Sequence, residues 1–304
     1  MLMLDSIESV QEAMLAQNYL ADRSLATALF LAWRLKKPLF LEGEPGVGKT
    51  ETAVAMARIL DTELIRLQCY EGLDANHALY EWNYPRQILA IKMAEQCQQG
   101  PQGLASAIFS EEFLIKRPLL AAILSSRDKA PVLLIDEIDR SDEEFEALLL
   151  EVLSEFQISI PEIGTLKALR RPLVILTSNR TRDIHDALKR RCLYHWIDYP
   201  SQQREMEIIQ ARIPGISQKL SMQVAAFMSR LRTQEFLKRP GVAETLDWAE
   251  ALMALERDSL DEQTVEDTLG CILKYREDIV LFGESWEDRA FRESLLGACG
   301  ATLS

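Results

Sequence analysis

Residues 43–50 constrain this chain more than any other segment. They read Gly-Glu-Pro-Gly-Val-Gly-Lys-Thr, after a short apolar run at 39–41 and before a helical pattern that reaches about Leu60. A glycine turn between a strand and a helix lets backbone N–H groups converge on phosphate oxygens at a helix N-terminus. We expect Lys49 to reach the β and γ oxygens of ATP and Thr50 to ligate Mg²⁺. The alternative, a turn that only joins strand to helix, fits the full pattern less well.

An acidic pair follows a second apolar run. Residues 132–135 are continuously apolar, as in a parallel strand covered on both faces, and Asp136 and Glu137 come directly after them. Asp136 is placed to hold Mg²⁺. Glu137 is placed to polarise the attacking water as general base, which suits a hydrolase better than a kinase. If the pair only capped the next helix it would be redundant, because Asp139 and Asp142 are better placed for capping.

Asn179 ends the next apolar strand, Leu-Val-Ile-Leu-Thr-Ser-Asn. On a parallel sheet it would lie beside Asp136, close to the γ-phosphate and the water. An Asn after a strand is usually only a turn residue. The order of glycine loop, Asp-Glu strand and Asn strand favours the catalytic interpretation.

The spacing of apolar residues predicts two domains. Strands and helices alternate as far as Pro200, which predicts a three-layer α/β core with a parallel sheet over residues 1–200; only helical patterns follow, which predicts an all-helical lid over 201–304. The individual predictions are a helix over 5–36, strands at 63–67, 173–176 and 194–199, a helix over 145–156, a hairpin around 161–164, and lid helices near 204–212, 220–232, 243–255 and 262–275.

Charge excludes several classes of protein. The 34 Lys and Arg against 47 Asp and Glu give a net charge of −13, which disfavours non-specific binding to nucleic acid or anionic lipid. The longest apolar runs are too short to span a bilayer, and Asp5 and Glu8 interrupt any candidate signal segment. The five cysteines are scattered, as expected of reduced thiols. We expect a cytoplasmic protein.

The charge is divided within the chain. From Asp136 to Glu162 there are ten acids and one base, whereas Lys167 to Arg191 holds eight bases and two acids. A basic island in an acidic protein is either a solvated face or a surface for an anion. The candidate anion is the triphosphate of a neighbouring subunit, with Arg190 or Arg191 acting on it in trans.

Four segments resemble the AAA+ ATPases, and within them the MoxR branch. GEPGVGKTE, LLIDEIDRSDEEFEALLLEVLSE, LVILTSN and ALKRRC are similar to that branch's Walker A, Walker B, sensor 1 and arginine-finger segments. CYEGLD, YEWNYPRQ and RPGVAETLDWAEAL resemble members encoded beside molybdenum-containing carbon monoxide dehydrogenase-type enzymes. The resemblance runs from about residue 20 to 255. It implies a P-loop AAA+ fold, ATP hydrolysis, a homo-oligomeric ring that is usually hexameric, and a chaperone-like role.

The resemblance also implies partners and residue roles. The partners are a protein with a von Willebrand factor A domain and a client enzyme that is remodelled or loaded with metal. Glu137 and Asn179 are the implied catalytic residues, with Arg191 favoured over Arg190 as the finger. The implied Mg²⁺ ligands are Thr50 and Asp136. The residues implied to bind the nucleotide are Gly43, Glu44, Pro45, Gly46, Val47, Gly48, Lys49, Thr50 and Glu51.

Two segments depart from a simple transfer of roles. Many AAA+ lids carry a sensor 2 arginine where this chain has Glu244, so Arg239 or Lys238 is the candidate substitute. Residues 77–87 form a candidate insertion facing a pore or partner, although Tyr80, Trp82 and Tyr84 suit local packing equally well.

Two other functions compete with a remodelling ATPase. One is a binding module switched by nucleotide occupancy, with hydrolysis incidental. The other is a DNA-directed motor, which the net charge and a lid of 12 bases against 18 acids from Ser201 onward disfavour.

Overall fold

The computed structural model describes residues 4–96, 108–125 and 129–297. They form two compact units. The first contains the chain up to Ala13 and residues Ala21–Glu42 and Thr50–Trp196. The second contains Met14–Leu20, Gly43–Lys49 and the chain from Ile197 onward. Each unit has its own apolar core.

The secondary structure of the described residues follows the chain in two series. The strands are β1 (Leu39–Gly43), β2 (Leu64–Gln68), β3 (Tyr80–Trp82), β4 (Leu114–Lys116), β5 (Val132–Asp136), β6 (Gln157–Ile160), β7 (Gly164–Lys167), β8 (Leu173–Ser178) and β9 (Leu193–Ile197). The helices are α1 (Ile7–Leu15), α2 (Arg23–Leu35), α3 (Lys49–Leu60), α4 (Ala75–Ala78), α5 (Tyr84–Gln96), α6 (Pro118–Ile123), α7 (Glu143–Glu155), α8 (Asp186–Lys189), α9 (Gln202–Arg212), α10 (Gln218–Leu231), α11 (Val242–Ala254), α12 (Glu262–Ile272), α13 (Arg276–Trp286) and α14 (Arg289–Leu296).

A five-stranded sheet organises the first unit, in the order β2-β5-β8-β1-β9. β2 pairs with β5, β5 with β8, and β8 with β1, all in parallel. Every residue of β5 and β8 is buried, as their apolar sequences predict. The register sets Gln68 opposite Asp136 and Glu42 opposite Ser178. The carboxyl ends of these strands therefore bring polar residues to one edge of the sheet, which confirms the three-layer α/β prediction.

The prediction of one helical segment over residues 5–36 is wrong in one respect. α1 ends at Leu15, and Asn18 has a φ of 56°, in the left-handed region that no helix can accommodate. α2 then begins anew after Asp22, whose carboxylate accepts a 2.7 Å hydrogen bond from the Leu25 amide. The apolar spacing runs through the turn because both helices bury a face.

The aromatic segment at 77–87 divides between core and surface. Trp82 is buried and meets Phe109 edge to face at a centroid distance of 5.3 Å, and Tyr80 meets Trp82 at 6.2 Å. Tyr84, at the start of α5, is exposed. Local packing therefore accounts for Tyr80 and Trp82. Cys97 and Cys299 lie outside the described residues.

Helices make up the second unit after Pro200, as predicted. Their core contains Phe227, Trp248 and Phe282, all fully buried. The two helices α13 and α14 extend the lid beyond the pattern read from the sequence. None of the helices in the described ranges has the length and apolar character needed to cross a membrane.

A buried ion pair holds the start of this helical array. Arg232 donates two hydrogen bonds of 2.6 Å to the carboxylate of Glu205, and both side chains are almost completely buried. Arg232 also donates to the Pro240 carbonyl at 2.7 Å and to the Thr245 hydroxyl at 2.9 Å. Such a pair is stable only when its remaining donors are satisfied, as they are here. It fixes the segment that leads into α11.

Candidate functional site

The phosphate loop, residues 43–49, has the backbone conformation that its glycines predict. Gly46 and Gly48 have φ values of 76° and 93°, which residues other than glycine rarely adopt. The loop ends where α3 begins at Lys49. Lys49 is buried, and its Nζ donates to the carbonyls of Gly43 at 2.8 Å and Glu44 at 2.7 Å. The loop therefore presents a helix N-terminus and a buried ammonium group, which suit an anionic phosphate.

The start of α11 packs against this loop, within the same unit. The Ala243 amide donates to the Gly46 carbonyl at 3.2 Å. A Cβ on Gly241 would lie 2.7 Å from the Pro45 carbonyl oxygen and 2.9 Å from the Gly46 Cα, so only glycine fits there. The contact is between two backbones and needs no long side chain.

Glu244 is the residue that the sequence resemblance sets at the sensor 2 position. Its Oε2 accepts a 2.8 Å hydrogen bond from the Gly241 amide, which makes it part of the helix cap. Lys238 Nζ lies 4.0 Å from Glu244 Oε1, and Arg239 is exposed. The structure thus gives Glu244 a capping role of its own. Which basic residue, if either, replaces sensor 2 stays a prediction.

In the first unit, Asp136 is held by two hydroxyl groups. Thr177 Oγ1 donates to Asp136 Oδ1 at 2.5 Å, and Thr50 Oγ1 lies 3.0 Å from the same oxygen. Asp136 is buried at the end of β5, and Thr50 lies in the first turn of α3. A hydroxyl and a carboxylate oxygen side by side are the donors that Mg²⁺ prefers. The residues present therefore fit a magnesium ion that also takes ligands from a nucleotide.

A further residue on Asp136 was not foreseen from the sequence. Arg66, in β2, donates from Nη2 to Asp136 Oδ2 at 2.6 Å and to Gln68 Oε1 at 2.7 Å. Arg66 and Gln68 lie two positions apart and so share a face of the strand. The sequence shows that Arg66 and Gln68 are polar residues separated by an apolar one. It does not show that they face Asp136 and Glu137, because that depends on the pairing of β2 with β5 in the sheet.

Glu137 sits on a strained turn with several donors around it. Its φ of 55° is left-handed, and its amide donates to Thr177 Oγ1 at 2.9 Å. Gln68 Nε2 donates to Oε2 at 3.0 Å and Arg140 Nη1 at 3.2 Å, while Asn179 Nδ2 reaches Oε1 at 3.3 Å. The structure thus brings Thr50, Asp136, Glu137 and Asn179 together, as predicted. Gln68 and Thr177 join them from neighbouring strands.

The expected capping role of Asp139 is wrong, whereas that of Asp142 is confirmed. Asp142 accepts from the Phe145 amide at 2.8 Å at the start of α7. Asp139 is buried, and its Oδ2 accepts from the amides of Asn179 at 3.2 Å and Thr181 at 2.9 Å. It holds the turn after β8 because that turn has amide donors that the strand ladder leaves unpaired.

The two candidate finger arginines are exposed and lie at the end of α8. Arg191 donates from Nε to Ser154 Oγ at 2.8 Å and from Nη1 to the Ala187 carbonyl at 3.1 Å. The backbone amide of Arg190 donates to the Asp186 carbonyl. Arg182, another member of the basic island, pairs with buried Glu146 and donates to the Ser141 carbonyl at 2.6 Å. The acidic and basic segments therefore pair in part within one chain.

Burial raises the pKa values of two groups in the first unit, Cys69 and Tyr194. Burial, together with the negative charges of Asp136, Asp139 and Glu137, raises the pKa of the Cys69 thiol to about 12. Burial raises the pKa of Tyr194 to about 12, together with the hydrogen bond that the Tyr194 hydroxyl donates to Glu42. Both groups are therefore protonated at neutral pH. Neither is available as a nucleophile or base.

Residues 38–192 match the sequence model of the AAA domain of the dynein-related subfamily, which is just over half of the chain. An uncharacterized protein of Staphylococcus haemolyticus is 25% identical over 227 residues, covering 72% of this chain and 78% of that protein.

The chain is also similar to solved structures, of which the first shows the fold. A presumed ATPase from Cytophaga hutchinsonii has a TM-score of 0.50 at 14% identity, covering 96% of this chain and 94% of that one. The Thermotoga maritima RuvB Holliday junction branch migration motor has a TM-score of 0.44 at 20% identity, covering 81% of this chain. This chain spans 66% of the RuvB chain, slightly less than two thirds.

Proposed function

We propose that this chain, which belongs to the dynein-related subfamily of AAA domain proteins, uses ATP hydrolysis to remodel or mature a partner protein complex. It is a P-loop ATPase, as its family is. The observation that supports the proposed chemistry is the contact of Asn179 with Glu137 beside the Thr50–Asp136 pair.

The proposed residue roles follow from these contacts and from the motifs. Residues 43–51 bind the nucleotide, with Lys49 at the β and γ oxygens. Thr50 and Asp136 hold Mg²⁺, which when bound neutralises negative charge on the phosphate oxygens. Glu137 accepts a proton from the attacking water, and Asn179 orients that carboxylate through its amide. Thr177 fixes the backbone between Asp136 and Glu137.

The proposed assembly and partners rest on the MoxR resemblance. We propose a ring, of six subunits, in which Arg191 (or Arg190) acts on the nucleotide of a neighbour. The exposure of both arginines supports a role outside their own subunit. The proposed partner has a von Willebrand factor A domain, and the proposed client is an enzyme that is remodelled or loaded with metal in the cytoplasm. A core over 1–200 and a lid over 201–304 are the proposed domains.

Substitution of Glu137 by Gln tests the hydrolytic role. Loss of the base should lower kcat for ATP at least about 100-fold, while binding of a non-hydrolysable ATP analogue persists. Glu144→Gln, an exposed carboxylate in the first turn of α7, is the matched control and should hydrolyse at the normal rate. Rapid hydrolysis by Glu137→Gln would overturn the assignment.

A nucleotide-gated binding module is the second candidate. The donors from Gln68 and Arg140 favour it, because a restrained Glu137 makes hydrolysis slow. Replacing the chromosomal gene by the Glu137→Gln variant separates the two. Remodelling requires turnover, so the client enzyme would lose its activity in that strain. Full client activity would instead support the switch.

A further inference from the structure

The guanidinium group of Arg66 occupies the carboxylate that the proposed function assigns to Mg²⁺. Its Nη2 lies 2.6 Å from Asp136 Oδ2, within the range of a strong charge-assisted hydrogen bond. The Asp136 side chain is 3% exposed, whereas that of Arg66 is 52% exposed. The pair therefore joins a fixed, buried anion to a cation that has solvent on one side and a flexible stem.

The same guanidinium group orients Gln68. Arg66 can only donate hydrogen bonds, so its 2.7 Å contact identifies the Gln68 atom facing it as the carbonyl oxygen. The amide NH₂ of Gln68 then points the other way, to Glu137 Oε2 at 3.0 Å. A continuous set of contacts runs from the carboxylate of Asp136, through Arg66 and Gln68, to the carboxylate of Glu137.

We propose that Arg66 is a positioning residue that competes with Mg²⁺ for Asp136 and, through Gln68, couples the occupancy of that carboxylate to the restraint on Glu137. This inference rests on the proposed function, because it needs a metal at Asp136 and a proton acceptor at Glu137. Two cations on one carboxylate repel each other, so metal binding expels the more solvated of them. Once Arg66 has left, Gln68 loses the donor that fixed its amide.

The consequence for Glu137 follows from the remaining contacts. Without an oriented Gln68 amide, Glu137 keeps only the longer hydrogen bonds from Arg140 at 3.2 Å and Asn179 at 3.3 Å. Its carboxylate is then freer to turn toward a water molecule. The device would keep the general base restrained until the nucleotide arrives with its metal.

Metal affinity measures the competition directly. Mn²⁺ is the probe, added to the full-length protein with a non-hydrolysable ATP analogue, and its free concentration is followed by electron paramagnetic resonance. Arg66→Ala and Arg66→Gln remove the charge and should tighten Mn²⁺ binding about threefold to tenfold, since one charge-assisted hydrogen bond no longer competes. Arg66→Lys keeps the charge and should bind Mn²⁺ within about twofold of the original protein.

A double-variant cycle in Mn²⁺ affinity measures the coupling. Gln68 Oε1 accepts a hydrogen bond from the same Nη2 that holds Asp136, so Gln68→Ala should weaken the hold of Arg66 and tighten Mn²⁺ binding. The double variant with Arg66→Ala should bind Mn²⁺ no more tightly than Arg66→Ala alone. Arg23→Ala is the control, because Arg23 makes a similar 2.8 Å ion pair with Glu8 on the surface, and it should leave the Mn²⁺ affinity unchanged.

The inference is overturned if both charge-removing variants bind Mn²⁺ no more tightly than the original protein, or more weakly. It is also overturned if Gln68→Ala leaves the Mn²⁺ affinity unchanged, or if its effect adds in full to that of Arg66→Ala. Failure of the proposed function looks different: the unsubstituted protein would then bind no Mn²⁺ with the analogue and hydrolyse no ATP.

Discussion

Gln68 donates a 3.0 Å hydrogen bond from Nε2 to Oε2 of Glu137, although 69 positions separate the two residues. The contact exists because β2 and β5 pair in parallel with Gln68 opposite Asp136. A neutral amide on a carboxylate stabilises one orientation of that carboxylate without neutralising it. We interpret Gln68 as a restraint on the proposed general base.

Removing this restraint should lower the Mg²⁺ concentration that hydrolysis requires. Gln68→Ala should reduce the Mg²⁺ concentration for half-maximal hydrolysis about threefold to tenfold, the equivalent of one hydrogen bond to a charged group, with little change in kcat at saturating Mg²⁺. A steady-state phosphate-release assay measures both constants. Gln203→Ala removes an exposed hydrogen bond of 3.2 Å to Glu207 and is the control. A lower kcat in Gln68→Ala would mean that the amide supports Glu137 in its reactive position.

Alanine at Gly241 should weaken the contact between α11 and the phosphate loop. The new Cβ would meet the Pro45 carbonyl oxygen at 2.7 Å and the Gly46 Cα at 2.9 Å, so one of the two backbones must move. We expect a loss of about 1–3 kcal/mol in the free energy of unfolding, measured by urea denaturation, and weaker nucleotide binding.

Gly270→Ala is the matched control for that substitution. Gly270 lies within α12, and its Cβ would meet nothing within 4 Å. The exchange should stabilise the protein by about 0.5–1 kcal/mol, because alanine loses less conformational entropy in a helix. Equal effects at Gly241 and Gly270 would contradict a close approach at Gly241.

Arg191 should be required for turnover only in the assembled protein. If it acts on a neighbour's nucleotide, Arg191→Ala should lower kcat by about 10³-fold and leave nucleotide affinity nearly unchanged. Mixing the Arg191→Ala and Glu137→Gln proteins should restore part of the activity, because mixed assemblies contain some intact interfaces. Arg190→Ala should be milder. An inactive Arg190→Ala beside an active Arg191→Ala would transfer the role to Arg190.

The thiols of Cys69 and Cys192 should resist alkylation in the folded protein. Burial raises both pKa values from 9.0 to about 12, and at Cys69 the neighbouring carboxylates add to the effect. The thiolate fraction at pH 8 should therefore fall by about a thousandfold relative to the unfolded chain. Iodoacetamide labelling with and without urea, read by peptide mass spectrometry, tests this at each site. If Cys69 were labelled equally fast with and without urea, the sheet edge around it would have to open readily in the folded protein.

Local signals predicted the parts of the molecule whose chemistry is written in adjacent residues. The glycine loop, the strand before Asp136 and the strand before Asn179 were all identified, because an apolar run followed by polar residues marks the carboxyl end of a buried strand. The break at Asn18 was missed, since the apolar period continues through it. Asp139 was misread because its partners, Asn179 and Thr181, come from another strand end.

The sequence by itself determined that the chain has a phosphate loop, an acidic strand end and a helical C-terminal part, because each depends on residues that are neighbours along the chain. Only the tertiary structure decided which side chains control the acidic pair. Arg66, Gln68 and Thr177 reach Asp136 and Glu137 because the sheet places β2 and β8 on either side of β5. That order is set by burial of the whole sheet between two helical layers, a property that no local window of sequence contains.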